Sequence, residues 1–143
     1  MAVKNEVKMN LYSVSENVAI ARVTSAAFAA QAEFTVNEIE DIKVAISEAI
    51  SNAIIHGYRS SMGTIEFVMT LYEDWVEFII TDFGHGIEDI SLARQPSFST
   101  DPERMGLGFV FMESFMDELH VESAVNQGTT VRMIKRCEQK SVH

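Results

Sequence analysis

Three polar residues, Glu48, Asn52 and His56, recur at steps of four in the stretch from Asp41 to Gly57. Residues four apart lie on one line of an α-helix, so these side chains stack along the same face. They lie beside the apolar stripe of the helix, where a carboxylate and an amide need a polar partner. Carboxylate and amide oxygens are ligands that Mg²⁺ accepts. The alternative is that Glu48 and Asn52 are rim residues whose side chains reach water.

Two glycine pairs supply the second group of candidate residues. Asp82-x-Gly84-x-Gly86 ends a strand-like run, and Gly106-x-Gly108 precedes a helical run. An aspartate at a strand end can accept a hydrogen bond from an exocyclic amine, and flanking glycines let a flat ring approach the backbone. Free N–H groups at the start of a helix attract phosphate. Each pair taken alone is also typical of an ordinary turn.

Neither glycine pair fits the commoner glycine-rich motifs. Residues 82–84 share their letters with a kinase metal-binding motif, but the chain has no His-Arg-Asp loop to accompany them. The same stretch lacks the third glycine of a dinucleotide fingerprint, and no Gly-Lys-Ser/Thr follows Gly108. Taken together, the candidate residues predict adenine at Asp82, phosphates at the second glycine pair and a metal ion between them.

Composition limits the partners and the compartment. The 143 residues include 21 acidic residues against 11 Lys or Arg, a formal net charge of −10. This charge argues against binding of nucleic acid or anionic membranes, so an anionic ligand needs a local site. The single cysteine, Cys137, excludes an internal disulfide, and there is neither a cationic leader nor a membrane-spanning stretch. We expect a cytoplasmic protein with one domain over residues 1–143.

The hydrophobic pattern predicts the elements that position these residues. A capping box at Thr35–Glu38 begins the central helix, and Gly57 is expected to end it in a left-handed conformation. The irregular segment 87–105 is expected to be a lid rather than a plain connection. The order of elements favours an α+β sandwich, a mostly antiparallel sheet with helices on one face. The other predicted elements are a strand over residues 6–14, a helix from about 15 to 31, a hairpin over 64–82, a helix over 109–118 and a hairpin over 120–135.

Four segments carry a resemblance to a known superfamily. Glu48-x-x-x-Asn52 resembles the asparagine box of the GHKL ATPases, which include gyrase and the sensor histidine kinases. The segments that resemble its three glycine boxes, in the same order, are Asp82-x-Gly84-x-Gly86, Gly106-x-Gly108 and Gly128-Thr129-Thr130. Residues 47–49, 52–58, 93–96 and 109–117 are more closely similar to the anti-sigma factor serine kinases of spore-forming bacteria. The resemblance spans nearly the whole chain and implies a Bergerat-type ATP-binding sandwich, with a mixed, mostly antiparallel sheet.

The resemblance also implies a role for each candidate residue. Asn52 would bind Mg²⁺, Glu48 would be the general base, and Asp82 would hold the adenine amine with Thr129 nearby. Arg104 matches an arginine that meets the phosphates from an ATP lid over residues 87–105. The residues implied to shape the pocket are Gly84, Gly86, Gly106 and Gly108.

The resemblance further implies an activity and partners. Members of this family phosphorylate a serine of an anti-anti-sigma protein with Mg-ATP. As homodimers with ATP or ADP bound, they also hold a sporulation sigma factor and block the transcription that this factor directs. We therefore expect this chain to be both a protein serine kinase and an anti-sigma factor.

Two other functions compete with this expectation. An ATP-dependent switch that captures a partner without phosphorylating it would need Asn52 and Asp82 but not Glu48. A sensor histidine kinase would need a phospho-accepting histidine on a dimerisation helix, and no such segment stands before residue 6. The histidines expected to be surface or loop residues are His56, His85 and His120.

Overall fold

The computed structural model describes residues 2–59, 61–95 and 105–137. The strands in these ranges are β1 (Asn5–Tyr12), β2 (Thr64–Leu71), β3 (Trp75–Asp82), β4 (Glu118–Ala124) and β5 (Gly128–Arg136). The helices are α1 (Glu16–Ala29), α2 (Val36–Asn52), a π-helix (Ala53–Tyr58), α3 (Ile90–Ala93) and α4 (Met105–Phe115). No helix in the described ranges has the length and apolar character needed to cross a membrane.

The five strands form one sheet in the order β1-β2-β3-β5-β4. Alternate side chains of a strand share a face, and on one face the apolar residues Met69, Phe78 and Met133 lie in register on adjacent strands. They form a single buried core with residues of α1, α2 and α4. The predicted α+β sandwich is confirmed. All pairings among the described strands are antiparallel, so the sheet is more uniform than the mixed sheet expected.

Helix α2 is the central element of the helical layer, and it packs against both α1 and α4. Its apolar stripe is fully covered, since Ile42, Ile46 and Ile50 have no exposed surface. The predicted capping box is present at its start: the Glu38 backbone N–H donates to Thr35 Oγ1 at 3.1 Å, and the Thr35 N–H donates to Glu38 Oε1 at 2.7 Å. These bonds satisfy two N–H groups that a helix start leaves free.

The expected end of this helix at Gly57 is wrong. The helix continues from Asn52 directly into the π-helix, and the residue with positive φ is Arg59, at 57°. Gly57 has a different role, because a Cβ at this position would lie only 2.7 Å from Oδ1 of Asp82. The missing side chain therefore lets the helical segment approach the end of β3 closely.

Other boundaries differ by a few residues from those expected. Helix α4 begins at Met105 rather than at residue 109, so Gly106 and Gly108 lie inside its first turn instead of ahead of it. Ser15 precedes α1, but its side chain makes no capping hydrogen bond. The hairpin over β2 and β3 has the bounds expected to within one residue.

The segment expected to be an irregular lid contains a short helix, α3. The Asp89 carboxylate caps it by accepting a hydrogen bond from the Leu92 N–H at 3.0 Å. Arg94, which follows α3, forms an ion pair with Glu113 of α4 at 3.1 Å. Residues 96–104 of the expected lid, Arg104 among them, lie outside the described residues.

The turn between β4 and β5 depends on its left-handed residues. Gly128 has φ of 110°, and Asn126 has φ of 63°. A Cβ on Gly128 would lie 2.0 Å from the Asp82 carbonyl oxygen. Both the backbone conformation and the contact with β3 therefore exclude a side chain at this position.

We predict that Gly128→Ala destabilises the fold by about 2 kcal/mol or more, because it combines an unfavourable φ with a clash against β3. Urea unfolding followed by circular dichroism measures the change. Asn126→Gly in the same turn is the matched control. It should change the free energy of unfolding by no more than about 0.5 kcal/mol, since glycine adopts φ of 63° without strain. Equal stability of Gly128→Ala and wild type would contradict this account of the turn.

Candidate functional site

A cavity of about 730 Å³ opens between the sheet and the helical layer. Its wall is formed by the end of α2, the π-helix, the ends of β3 and β5, the segment that contains α3, and the first turn of α4. Four of the residues singled out from the sequence lie on this wall: Asn52, Asp82, Gly86 and Thr129. The fold therefore brings together residues that are far apart in the sequence, such as Asn52 and Thr129, which are separated by 77 positions.

Asp82 is the buried charge of the cavity, with 5 % of its surface exposed. Its Oδ1 accepts a hydrogen bond from the Gly84 N–H at 2.9 Å, and the Thr129 N–H also donates to the carboxylate. Burial raises the pKa of the Asp82 carboxyl above its ordinary value, and these two hydrogen bonds act in the opposite direction. The side chain is a fixed hydrogen-bond acceptor in an otherwise largely apolar pocket.

The turn after Asp82 packs against the π-helix. The His85 N–H donates to the Gly57 carbonyl oxygen at 2.8 Å, and a Cβ on Gly84 would lie 1.9 Å from the same oxygen. Gly86 has φ of 76°, and a Cβ there would lie 2.1 Å from the Ala124 carbonyl oxygen. Gly84 is thus required for packing and does not line the cavity, whereas Gly86 lies on the wall.

Asn52 and Glu48 meet the first turn of α4. A Cβ on Gly108 would lie 3.0 Å from Glu48 Oε1 and 3.4 Å from both polar atoms of the Asn52 amide. The two side chains predicted to stack on one helix face therefore lie together beneath Gly108. Gly106 has no such contact, and a Cβ on it would meet the Gln95 carbonyl oxygen at 1.9 Å. Asn52 lines the cavity, whereas Glu48, Gly106 and Gly108 are not among its lining residues.

The amide of Asn52 supplies an observation that points to a ligand. Its Nδ2 is buried and has no hydrogen-bond partner within the described part of the chain. A buried donor without a partner is costly, so an acceptor is expected to bind there. A phosphate oxygen or a metal-bound water would satisfy it. Within residues 2–59, 61–95 and 105–137, no group of three His, Cys, Asp or Glu side chains could hold a metal ion.

The π-helix contributes wall residues that the sequence analysis missed. His56 was expected at the surface or in a loop, but it is half-buried and lies on the cavity wall. Its four-residue spacing from Glu48 and Asn52, evident in the sequence, already indicated that it shares their face of the helix. Ile54, Ile55 and Arg59 also line the cavity, and nothing in the residue types of this apolar stretch distinguished it from a regular helix end.

Two further residues fix the site without lining it. Tyr58 Oη donates to the Thr64 carbonyl oxygen at 2.5 Å and accepts from the Phe83 N–H at 2.8 Å, which anchors the backbone just after Asp82. Burial raises the pKa of the Tyr58 hydroxyl, so it stays protonated at neutral pH. Ser123 bonds Thr129 from the neighbouring strand.

The raised pKa of Asp82 predicts a pH-dependent stability. Because the folded-state pKa lies above the unfolded one, this residue favours folding most at low pH, and that contribution is lost as the pH rises through the folded-state pKa. We predict that Asp82→Asn is more stable than wild type at pH 7 and that its advantage shrinks as the pH falls toward 3.8. Urea unfolding of both proteins across this range measures it. An advantage that does not depend on pH would show that burial of the Asp82 charge is not its cause.

Comparison with known proteins agrees with this geometry. Residues 13–135 match the family described as the histidine kinase-like ATPase domain. The anti-sigma F factor of Geobacillus stearothermophilus is 48 % identical over 143 residues, which covers 97 % of this chain and 98 % of that protein. The anti-sigma F factor of Geobacillus thermodenitrificans is 49 % identical over 135 residues, or 92 % of each chain.

Solved structures support the fold. A crystal structure of the RsbU and RsbW domains of a Mycobacterium tuberculosis protein matches with a TM-score of 0.68 at 22 % identity, covering 93 % of this chain and 32 % of that one. A blue-light activated histidine kinase of Erythrobacter litoralis matches with a TM-score of 0.58 at 21 % identity, covering 76 % of this chain and 33 % of that one. On the extent of the family match and the identity to full-length relatives, this chain belongs to the histidine kinase-like ATPases and, among them, to the anti-sigma F factor group.

Proposed function

We propose that this protein is an anti-sigma factor that is also a Mg-ATP-dependent protein serine kinase. It binds a sporulation sigma factor, blocks transcription by it, and transfers phosphate to a serine of an anti-anti-sigma protein. The observation that carries the proposal is the contact of Glu48 and Asn52 with Gly108, which places a carboxylate and a partnerless amide donor side by side at the cavity. Relatives that match over nine-tenths of their length bear the name anti-sigma F factor.

The cavity suits ATP or ADP as the ligand. Its volume of about 730 Å³ lies within the range of roughly 300–1,000 Å³ that is common for small-molecule sites. We assign the end with Asp82 and Thr129 to adenine, since the carboxylate accepts from an exocyclic amine. The end with Asn52 and the first turn of α4 is assigned to the phosphates, because the N–H groups of a helix start attract anions. Gly106 and Gly108 lie in this turn.

Asn52 is the residue proposed to hold Mg²⁺. Its amide oxygen is a ligand of the type that Mg²⁺ accepts, and an ion held by one protein group plus phosphates and waters is the usual arrangement. When bound, Mg²⁺ neutralises charge on the transferring phosphoryl group. Arg104, which lies outside the described residues, is proposed to meet the phosphates from the lid, residues 87–105.

Glu48 is proposed to be the general base. It lies one helical turn before Asn52, so it can take a proton from a serine hydroxyl brought to the phosphate end of the cavity. The proton moves to the carboxylate as the serine oxygen bonds to the γ-phosphorus, and the bond from that phosphorus to the bridging oxygen breaks to release ADP. Positioning by the surrounding backbone adds to the charge neutralisation by Mg²⁺ and Arg104.

The partners belong to the proposal as well. We infer a homodimer that holds the sigma factor in the cytoplasm and exchanges it for the anti-anti-sigma protein, with residues 1–143 forming one domain. The net charge of −10 is consistent with protein partners rather than direct contact with nucleic acid or membrane. The alternative is an ATP-dependent switch that captures partners without phosphorylating them, and only Glu48 separates the two functions.

The Asn52 assignment predicts that Asn52→Ala loses binding of Mg-ATP by at least about a hundredfold while the fold is retained. Its Nδ2 has no partner in the described residues, so truncation breaks no hydrogen bond there and removes little core volume. Calorimetry with Mg-ATP and urea unfolding measure the two effects. Asn10→Ala, on the exposed face of β1, is the matched control and should bind like wild type. Wild-type affinity in Asn52→Ala would remove this residue from the site.

The variant Glu48→Gln distinguishes the kinase function from that of a switch without kinase activity. Glutamine keeps the shape of the side chain but cannot act as a base. We expect this variant to bind Mg-ATP and the sigma factor like wild type, and to lose phosphate transfer by at least about a hundredfold. Single-turnover transfer from labelled ATP to the anti-anti-sigma protein is the measurement.

The control for this experiment is Glu40→Gln, which removes an exposed carboxylate from the same helix. It should transfer phosphate at the wild-type rate. Transfer by Glu48→Gln at that rate would mean that another group is the base. If wild type itself binds ATP and the sigma factor but transfers no phosphate, the switch is the correct function.

A further inference from the structure

Ser123 of β4 makes three polar contacts through one hydroxyl group. Its Oγ lies 2.7 Å from the Ile87 backbone nitrogen, 2.9 Å from the Gly128 carbonyl oxygen and 2.8 Å from Thr129 Oγ1. Ser123 and Thr129 are cross-strand partners, and so are Thr129 and Asp82. Ser123 therefore stands next to a wall residue of the cavity, although it is not on the wall itself.

The chemistry of the three partners fixes where the hydrogens lie. The Ile87 N–H can only donate and the Gly128 carbonyl can only accept, while a hydroxyl has one hydrogen and two lone pairs. All three contacts are hydrogen bonds only if Ser123 donates to Gly128 and accepts from both Ile87 and Thr129. In that arrangement the hydrogen of the Thr129 hydroxyl points at Ser123. The Thr129 hydroxyl oxygen can then only accept hydrogen bonds from a ligand in the cavity.

The neighbouring wall residue has the same character. The Asp82 carboxylate accepts hydrogen bonds from backbone N–H groups and can only accept while it is ionised. Directly opposed side chains on adjacent antiparallel strands lie close enough to meet one ligand group. Asp82 and Thr129 thus form a pair of acceptors at one end of the cavity. An exocyclic amine, which has two N–H donors, fits this pair, whereas a carbonyl oxygen would face two acceptors.

We propose that Ser123 is a positioning residue for nucleotide selectivity: by holding the Thr129 hydroxyl as an acceptor, it makes the cavity select 6-amino purines over 6-oxo purines. The inference rests on the proposed binding of ATP. Without Ser123, the Thr129 hydroxyl can rotate and donate to a 6-oxo group. The bond to Ile87 also ties the start of the segment that holds α3 to this pair.

The test compares ATP with inosine triphosphate by calorimetry with Mg²⁺; the second nucleotide has a 6-oxo group and a hydrogen on N1 in place of the 6-amino group. Wild type should prefer ATP by at least about a hundredfold, since a site built to pair a polar group strongly rejects an analogue that lacks it. Ser123→Ala should reduce this ratio by about tenfold, the effect of one hydrogen bond. Ser123→Thr keeps a hydroxyl and should restore the ratio. A merely structural loss would weaken both nucleotides equally and leave the ratio unchanged.

Two further variants make the test specific. Thr130→Ala removes a hydroxyl that pairs with Thr81 at 3.2 Å, and it points to the opposite face of the sheet, so the ratio should stay at the wild-type value. Thr129→Val removes the acceptor itself and should lower the ratio. Adding Ser123→Ala to Thr129→Val should then cause no further change, because Ser123 acts through Thr129.

The outcomes separate this inference from the proposed function. If wild type binds ATP selectively and Ser123→Ala keeps the full ratio, the role of Ser123 is overturned and the proposed function stands. An additive effect of the two substitutions would likewise overturn action through Thr129. If wild type binds neither nucleotide, both the proposed function and this inference fail.

Discussion

The close approach of the π-helix to the end of β3 is the contact on which the site depends. It buries the Asp82 carboxylate against Gly57, where even one methyl group would lie 2.7 Å from the carboxylate oxygen. A buried charge is costly unless it is hydrogen-bonded, and here the turn that follows β3 supplies the donor at Gly84. The same loop is held against the π-helix, because the His85 N–H donates a hydrogen bond to the Gly57 carbonyl oxygen. The acceptor, its donor and the helical backbone beneath them form one unit.

Glycine serves this unit mainly by allowing contact, not by allowing unusual dihedral angles. Among the glycines of the described residues, only Gly86 and Gly128 have positive φ. At Gly57 and Gly84 the backbone is ordinary, and the constraint is the adjacent atom. Glycine motifs of the same appearance in a sequence can therefore have distinct physical causes, and the difference matters for any substitution.

Much of the fold followed from local pattern. The period of the apolar residues gave α2 and its capping box, and alternation gave the β2–β3 hairpin, because both patterns reflect burial that is set along one element. Asn52, Asp82, Gly86 and Thr129 were identified through their residue types and their resemblance to family motifs, and the fold places them on one wall. The π-helix could not be predicted, since its apolar sequence also suits an α-helix. Ser123 was missed for the same reason: one serine on a strand gives no sign of the three partners that tertiary structure brings to it.

The π-helix also determines how this region can change in length. A π-helix of this kind holds one residue more than the α-helical turns it replaces. Deleting one residue between Ala53 and His56 would therefore allow regular α-helical bonding and leave the later residues near their present directions. Gly57 would stay beside Asp82, and the Tyr58 hydroxyl would stay beside Phe83. The same deletion inside α2 would turn every later residue by about 100° around the axis, so a one-residue gap is compatible with this cavity only within the π-helix.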